Sequence, residues 1–183
     1  KLRANLKQRF AFWKRSLKVC ESNSTNEFDR CLSHRGLAGR LLYDHDKEEL
    51  GVEVSTSSQD ANAHASRSLR TLSGGEQAFS TLAFSLAMWP FSASPLRAMD
   101  EFDKNMDDTY LQASLQLLLE AAEASPTRQM LILTPNDYHG CLTGEVCKGA
   151  YDALQAQGTD RSVNEGGIGR PVEILRLANV DRS

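Results

Sequence analysis

Apolar residues recur at steps of three and four at the start of the chain. Leu2, Leu6, Phe10, Trp13 and Leu17 fall on one side of a 3.6-residue helix, with Phe12 off that stripe. The spacing predicts a helix over residues 1 to about 20. No N-cap precedes Lys1, so this helix is expected to continue from a longer one. "ESNSTNEFD" interrupts the pattern. Leu37, Gly39, Leu41 and Tyr43 then alternate, as do Leu50, Val52 and Val54, with the acidic "DHDKEE" between them. Period two on both sides of a polar connection predicts a β-hairpin. Residues 55–69 are small and polar and are expected to form a mobile loop.

The second half is more apolar. Ala78 to Met88 is hydrophobic nearly all round, the pattern of a buried helix, and "WPFSASP" stops it because its two prolines cannot continue a helix. "LRAMDEFD" predicts a short strand ending in acids. Met106, Tyr110, Leu111, Leu115, Leu118, Leu119 and Ala122 predict a long amphipathic helix, and "QMLILT" a second buried strand stopped by Pro135. Residues 143–171 hold six glycines and little periodicity, so they read as an irregular insertion with a short helix at "AYDALQAQ". "VEILRLA" is expected to be a last strand. Two short buried strands around one helix imply a parallel sheet covered on its faces, an α/β architecture.

Composition narrows the class. The 183 residues are enough for one domain with a sizeable core, and 40% apolar with 25% charged residues is a soluble globular profile. No apolar run approaches the roughly 18 to 20 residues a membrane span needs, and no apolar segment follows the basic start as a secretory signal would require. A membrane partner is therefore not expected. Cys20, Cys31, Cys141 and Cys147 form no CxxC pair, and the four histidines show no ligand spacing, so neither zinc nor a disulfide framework is expected. Charge is uneven. Residues 1–18 carry seven basic side chains and no acid, a charge of +7 within a net charge of -3. A basic helix face of this kind suits nucleic-acid phosphates, or simply solvent.

Candidate chemistry sits in "TLSGGEQAFS", residues 71–80. A helix N-terminus presents unpaired N–H groups and partial positive charge. Glycines there let a phosphate approach the backbone, and a serine adds a hydroxyl. Ser73, Gly74 and Gly75 are thus a candidate phosphate clamp, or a glycine turn that only starts a helix. "LRAMDE" places Asp100 and Glu101 where a strand emerges, at the strand end where open α/β sheets bind ligands. One such acid can hold a magnesium ion, and the other can orient and deprotonate a water. Two solvated acids at a strand end is the plainer reading of that pair.

These motifs resemble a known family. "LSGGEQ", residues 72–77, is similar to the signature motif of ABC-type ATPases, and "PLRAMDEFDKNMD", residues 95–107, to their Walker B strand and D-loop. Order and spacing also fit. The ABC branch resembled is structural maintenance of chromosomes (SMC), over residues 70–107 most closely, to about residue 136 in part, and again at "EILRLANVDR". The resemblance implies an ABC-type P-loop NTPase head. The chain would supply its C-terminal lobe (21–183), with parallel core strands and a β-hairpin, behind a coiled-coil neck helix (1–20). It makes Glu101 the catalytic base, Asp100 the magnesium-side acid acting through water, and Asp103 the D-loop acid. Ser73, Gly74, Gly75 and, on the same helix, Gln77 would touch ATP held by an opposite head. ATP and Mg2+ are the implied cofactors. The implied partners are the N-terminal P-loop half of the same protein, a head of the SMC protein 5 type, DNA, and a kleisin subunit docking at Phe12 and Trp13. The implied setting is chromosome maintenance and DNA repair in the nucleus.

Two departures matter. No GxxxxGK[ST] occurs in the sequence, and the resemblance explains this by a P-loop half far away across a long coiled coil. The half represented here is then expected to be inactive alone. Where ABC proteins place a switch histidine, "LILTPND" has Pro135 followed by Asn136. Proline has no N–H to offer a phosphate; the amide of Asn136 can donate. Competing readings are another coiled-coil ABC repair ATPase, or a catalytically silent scaffold that binds partners through its basic helix. The intact acid pair weighs against silence.

Overall fold

The computed structural model describes residues 2–56, 67–68, 72–125, 127–136, 141, 148–149 and 152. They divide into two compact units, one of residues 1–93 and 102–114, the other of residues 94–101 and 115–183. The architecture is α/β.

The first unit begins with α1, Leu2–Ser33. The helix expected to end near residue 20 therefore continues through "ESNSTNEFD". The reason is burial on a second face. Ser24, Phe28, Cys31 and Leu32, spaced four, three and one apart, are buried while the residues between them are half-buried or exposed. Ser24 satisfies its hydroxyl within this face, bonding Cys20 O at 2.7 Å and the Tyr43 hydroxyl at 2.7 Å. Gly36, at φ 63°, ends the run in the left-handed conformation that glycine adopts without penalty.

The hairpin forms as expected. β1 (Leu37–Asp44) pairs antiparallel with β2 (Glu49–Thr56) from Leu37↔Thr56 to Asp44↔Glu49. The Asp44 carboxylate accepts the N–H groups of Asp46 and Lys47 at 3.2 and 3.0 Å and so closes the turn. β3, Arg67–Ser68, adds a third antiparallel strand beside Glu53 and Val54. It lies within the stretch expected to be a mobile loop; residues 57–66 and 69–71 are outside the described residues. α1 packs closely on β1. A β-carbon on Gly39 would meet Leu32 Cδ1 and lie 2.6 Å from Phe28 Cε1, so only glycine fits there.

α2, Gly74–Met88, starts four residues before the expected Ala78. Ser73 and Glu76 form a capping box: Glu76 N–H donates to Ser73 Oγ at 3.3 Å, and Ser73 N–H to Glu76 Oε2 at 2.9 Å. Phe79, Leu82, Ala83, Leu86 and Ala87 are buried, but Thr81 is exposed and Phe84 half-buried. The helix is thus covered on one broad face rather than all round. A 3-10 turn at Trp89–Phe91 ends it at Pro90. α3, Asp108–Glu123, is capped by Asp107 and gives its first half to this unit and its second half to the other.

In the second unit β4 (Leu96–Asp100) pairs with β5 (Gln129–Leu133) in parallel, from Leu96↔Gln129 to Asp100↔Leu133. This is the parallel pair the sequence predicts, but the strands are not fully buried. Arg97 is buried and Met99, Met130 and Ile132 are half-buried. Leu96, Ala98, Asp100, Gln129, Leu131 and Leu133, on the alternate face, are exposed. The pair has no third strand and no layer over that face among the described residues, which is why an apolar face stands open. The short helix at residues 150–157 and the strand at 172–178 lie outside the described residues, apart from Asp152, which is helical.

Candidate functional site

The candidate residues fall into two sets, one in each unit. In the first unit, Ser73 stands at the N-cap of α2 with extended backbone (φ -62°, ψ 160°), followed by Gly74 and Gly75 in the first turn. Glu76 N–H and Gln77 N–H are taken by Ser73 Oγ and Ser73 O, the latter at 2.9 Å. The N–H groups of Gly74 and Gly75 come before the first residue that can reach an acceptor four positions back, so they face outward as donors. Ser73, Gly74 and Gln77 are exposed and Gly75 is half-buried. The Ser73 hydroxyl accepts the capping bond and keeps its own hydrogen to donate.

The glycines are backed by the segment just before α3. A β-carbon on Gly74 would lie 3.7 Å from Asn105 Cβ. One on Gly75 would lie 3.3 Å from Tyr110 Cδ2 and 3.5 Å from Asn105 O. The loop carrying Asp103 therefore packs against the glycine turn. Asp103 is buried, its carbonyl accepts the N–H of Met106 at 3.1 Å, and Asn105 adopts φ 66°. Tyr110 is also tilted against Phe79 of α2, with centroids 5.5 Å apart. Arg35, just beyond α1, lies over the Tyr110 ring: its guanidinium is 4.6 Å from the centroid and donates to Thr109 Oγ1 at 3.1 Å.

Titration follows these contacts. Burial pushes the Tyr110 phenol up, the Glu76 carboxylate adds to the rise, and the Arg35 guanidinium opposes it. Asp107 is held below the usual aspartate range. The Thr109 hydroxyl it accepts at 2.6 Å is the main cause, followed by the Tyr110 N–H at 2.8 Å.

In the second unit the parallel register brings Asp100, Glu101 and residues 134–136 to one end of the strand pair. Glu101 N–H donates to Leu133 O at 3.0 Å, one step past the last paired residues. Glu101 itself has left the strand: its φ of 46° is left-handed, a conformation that costs a branched-free acid of this size on the order of 1 kcal/mol or more. Asp100 and Glu101 are both exposed. Beside them Pro135 and Asn136 leave β5, with Asn136 N–H bonded to Thr134 Oγ1 at 3.1 Å. The switch-position residues and the acid pair are thus neighbours in the fold.

Asp100 suits a hard cation, since magnesium takes one or two carboxylates and completes its shell with phosphate and water. Among the described residues no three histidine, cysteine, aspartate or glutamate side chains gather as a metal cage.

Phe12 and Trp13 lie on the exposed first half of α1, with Phe10 stacked on Trp13 at 5.7 Å and Lys14 Nζ 4.8 Å above the Phe10 ring. Arg35, Asn105 and Tyr110 carry no mark of a site role in their local spacing. The capping role of Ser73 has a signal that could have shown it, serine followed three residues later by glutamate. Among the described residues no helix is long and apolar enough to cross a membrane.

Comparison with known proteins agrees with this picture. No protein-family model matches the chain. The chain is 39% identical over 108 residues to Structural maintenance of chromosomes protein 6 of Homo sapiens, covering 59% of this chain and 10% of that protein. Its counterpart in Dictyostelium discoideum is 34% identical over 150 residues, 80% of this chain and 13% of the relative. Structural maintenance of chromosomes protein 6B of Arabidopsis thaliana is 36% identical over 132 residues, 72% and 12%. The chain therefore spans only about a tenth of the length of these curated relatives. Among solved structures it is similar to an SMC head from Pyrococcus furiosus bound to the C-terminal domain of ScpA, with TM-score 0.54, 21% identity, and 79% of this chain and 33% of that one covered. A second, from work on ATP-driven dimerization and DNA stimulated activation of SMC ATPases, has TM-score 0.51, 20% identity and 76% coverage of both chains. At these identities the likeness concerns the fold, that of an SMC ATPase head. Sequence and fold together assign the chain to the structural maintenance of chromosomes family, as a fragment similar to the C-terminal part of its protein 6.

Proposed function

We propose that this chain is the C-terminal half of an SMC ATPase head. It joins an N-terminal P-loop half and a partner head of the SMC protein 5 type to bind and hydrolyse ATP, driving DNA tethering in chromosome maintenance and repair, on chromosomes in the nucleus. In this reading residues 1–20 are the neck and 21–183 the lobe. The observation that carries it is the convergence of Asp100, Glu101 and Asn136 at one end of the β4–β5 pair, in a chain whose glycine turn presents free backbone donors elsewhere. Glu101 is the base that takes a proton from the attacking water, and Asp100 would help to hold magnesium, which would supply charge neutralisation at the phosphates. Asn136 stands in for the switch histidine that Pro135 cannot replace. Ser73, Gly74, Gly75 and Gln77 meet the γ-phosphate of ATP on the opposite head, and the loop of Asp103 backs that contact.

The named heads and relatives support the partners. The Pyrococcus furiosus head is bound to ScpA, and the dimerization described for SMC ATPases is ATP-driven. By analogy a kleisin subunit meets the neck at Phe12 and Trp13, and the exposed basic residues Arg3, Lys7, Arg9, Lys14, Arg15 and Lys18 meet DNA. The open apolar face of β4–β5 is the surface expected of a sheet that the P-loop half completes.

Glu101→Gln tests the reading in the full-length protein assembled with its partner head. The change is nearly isosteric and removes the base. ATP binding should persist while turnover falls by about 10² to 10⁴, or roughly 3 to 5 kcal/mol. Turnover within about threefold of the unaltered complex would instead favour the silent scaffold.

A further inference from the structure

The glycine turn has a support that the proposed reaction does not yet use. Arg35 sits two residues past the end of α1, its N–H bonded to Leu32 O at 3.0 Å, so its backbone moves with that helix. Its guanidinium makes a cation–π contact with the Tyr110 ring at 4.6 Å and donates to Thr109 Oγ1 at 3.1 Å. The same tyrosine also meets α2: a β-carbon on Gly75 would be 3.3 Å from Cδ2, and the Phe79 ring is 5.5 Å away. Three elements distant in sequence thus meet in one stack, from α1 through Arg35 and Tyr110 to the first turn of α2.

Arg35 is only partly satisfied here. Its Nε is buried without a hydrogen-bond partner among the described residues. A guanidinium nitrogen so placed costs stability, and the return is the position of the ring beneath it. We propose that Arg35 and Tyr110 are positioning residues for the Ser73–Gly75 turn, holding its N–H donors in register and tying their orientation to α1. This rests on the reading of that turn as an ATP contact. It adds a route by which movement of α1 reaches the turn, through the cation–π pair beside the direct packing of α1 on α2.

The test uses the full-length protein assembled with its partner head. Arg35→Ala and Tyr110→Leu should each lower kcat for ATP about tenfold with KM within about twofold, because the turn completes the site only on engagement. The double variant should be no worse than either single one, as expected for two members of one unit. Tyr110→Phe keeps the ring and should retain kcat within about twofold. Arg35→Lys, which keeps the charge but not the planar face, serves as the second variant should Arg35→Ala fail to fold; an intermediate kcat is expected. Unchanged kcat in Arg35→Ala or, where that fails to fold, in Arg35→Lys, or additive losses in the double variant, would overturn the positioning role. Ser73→Arg is the control. Loss of ATP-dependent head crosslinking in that variant keeps the ATP reading standing whatever Arg35 does, and its persistence overturns that reading and this inference together.

Discussion

Gly75 faces the ring of Tyr110 across a gap too small for a relaxed β-carbon, 3.3 Å to Cδ2, with the Asn105 carbonyl also 3.5 Å from that position. Gly74, one residue earlier, has 3.7 Å to Asn105 Cβ and ordinary room. The two glycines of one motif therefore have different reasons to be glycine. Gly75 is held by packing within the chain, whereas a β-carbon on Gly74 would meet only ordinary van der Waals contact.

The difference predicts opposite stability outcomes. Gly75→Val should overpack the junction and lower stability by about 1–3 kcal/mol, since backbone and an aromatic ring both crowd that position. Gly74→Ala should leave stability within about 0.5 kcal/mol yet still weaken ATP-dependent head crosslinking, because the new methyl stands where a phosphate would come. Denaturation of both variants beside the crosslinking assay checks this. Equal stability losses would mean that the packing asymmetry is not real.

Gly39 makes the same argument for the junction of α1 and β1. Its missing side chain is the space occupied by Leu32 and Phe28, both fully buried and unable to swing aside. Gly39→Ala should destabilise by about 1–3 kcal/mol. Thermal melting is the measurement, and an unchanged midpoint would show that α1 does not dock as described.

What the sequence makes legible follows from how local each cause is. The hairpin was readable because alternation in Leu37–Tyr43 and Leu50–Val54 needs only period two. The parallel pair was readable because two short apolar runs flank one amphipathic helix. The length of α1 was not, because its second half is held by Ser24, Phe28, Cys31 and Leu32 against a hairpin that lies later in the chain. The same holds for the site. Asp100, Glu101 and the glycine turn announce themselves through residue type, while Arg35 and Tyr110 matter only through a meeting across 75 positions. The exposure of one face of β4–β5 is not legible in the sequence, because apolar content reports what a strand requires, not what covers it.

Asp107 gives a pH dependence. It caps α3, and the Thr109 hydroxyl and the Tyr110 N–H hold its folded-state pKa below the ordinary value. A depressed carboxylate contributes stability that is fully present above its unfolded pKa, about 3.9. That contribution is lost as pH falls through the lower folded value. Asp107→Asn should therefore be less stable than the unaltered protein at neutral pH, with the gap closing below about pH 4. Melting curves of the two proteins between neutrality and mild acid decide it. A constant gap would assign the cap to shape rather than charge.

The first half of α1 carries the last prediction. At helical spacing Arg3, Lys7, Lys14 and Lys18 share one stripe beside the apolar one formed by Leu2, Leu6, Phe10, Trp13 and Leu17, and Phe12 stands apart from both. Phe12 is 71% exposed and Trp13 54%, and Lys14 already covers part of Phe10. A single coiled-coil partner can cover the first stripe but not Phe12, so a second helix has a place to dock there, as expected of a kleisin. Phe12→Ala with Trp13→Ala should reduce kleisin capture at least about tenfold, the scale of losing one buried aromatic anchor. Lys7, Lys14 and Lys18 changed together to glutamate should spare that capture, weaken DNA binding, and flatten its salt dependence by up to about three phosphate contacts. A pull-down and a salt titration on the same two variants separate the faces. If neither variant changes either measurement, this half of α1 is a strut between the head and whatever lies beyond it.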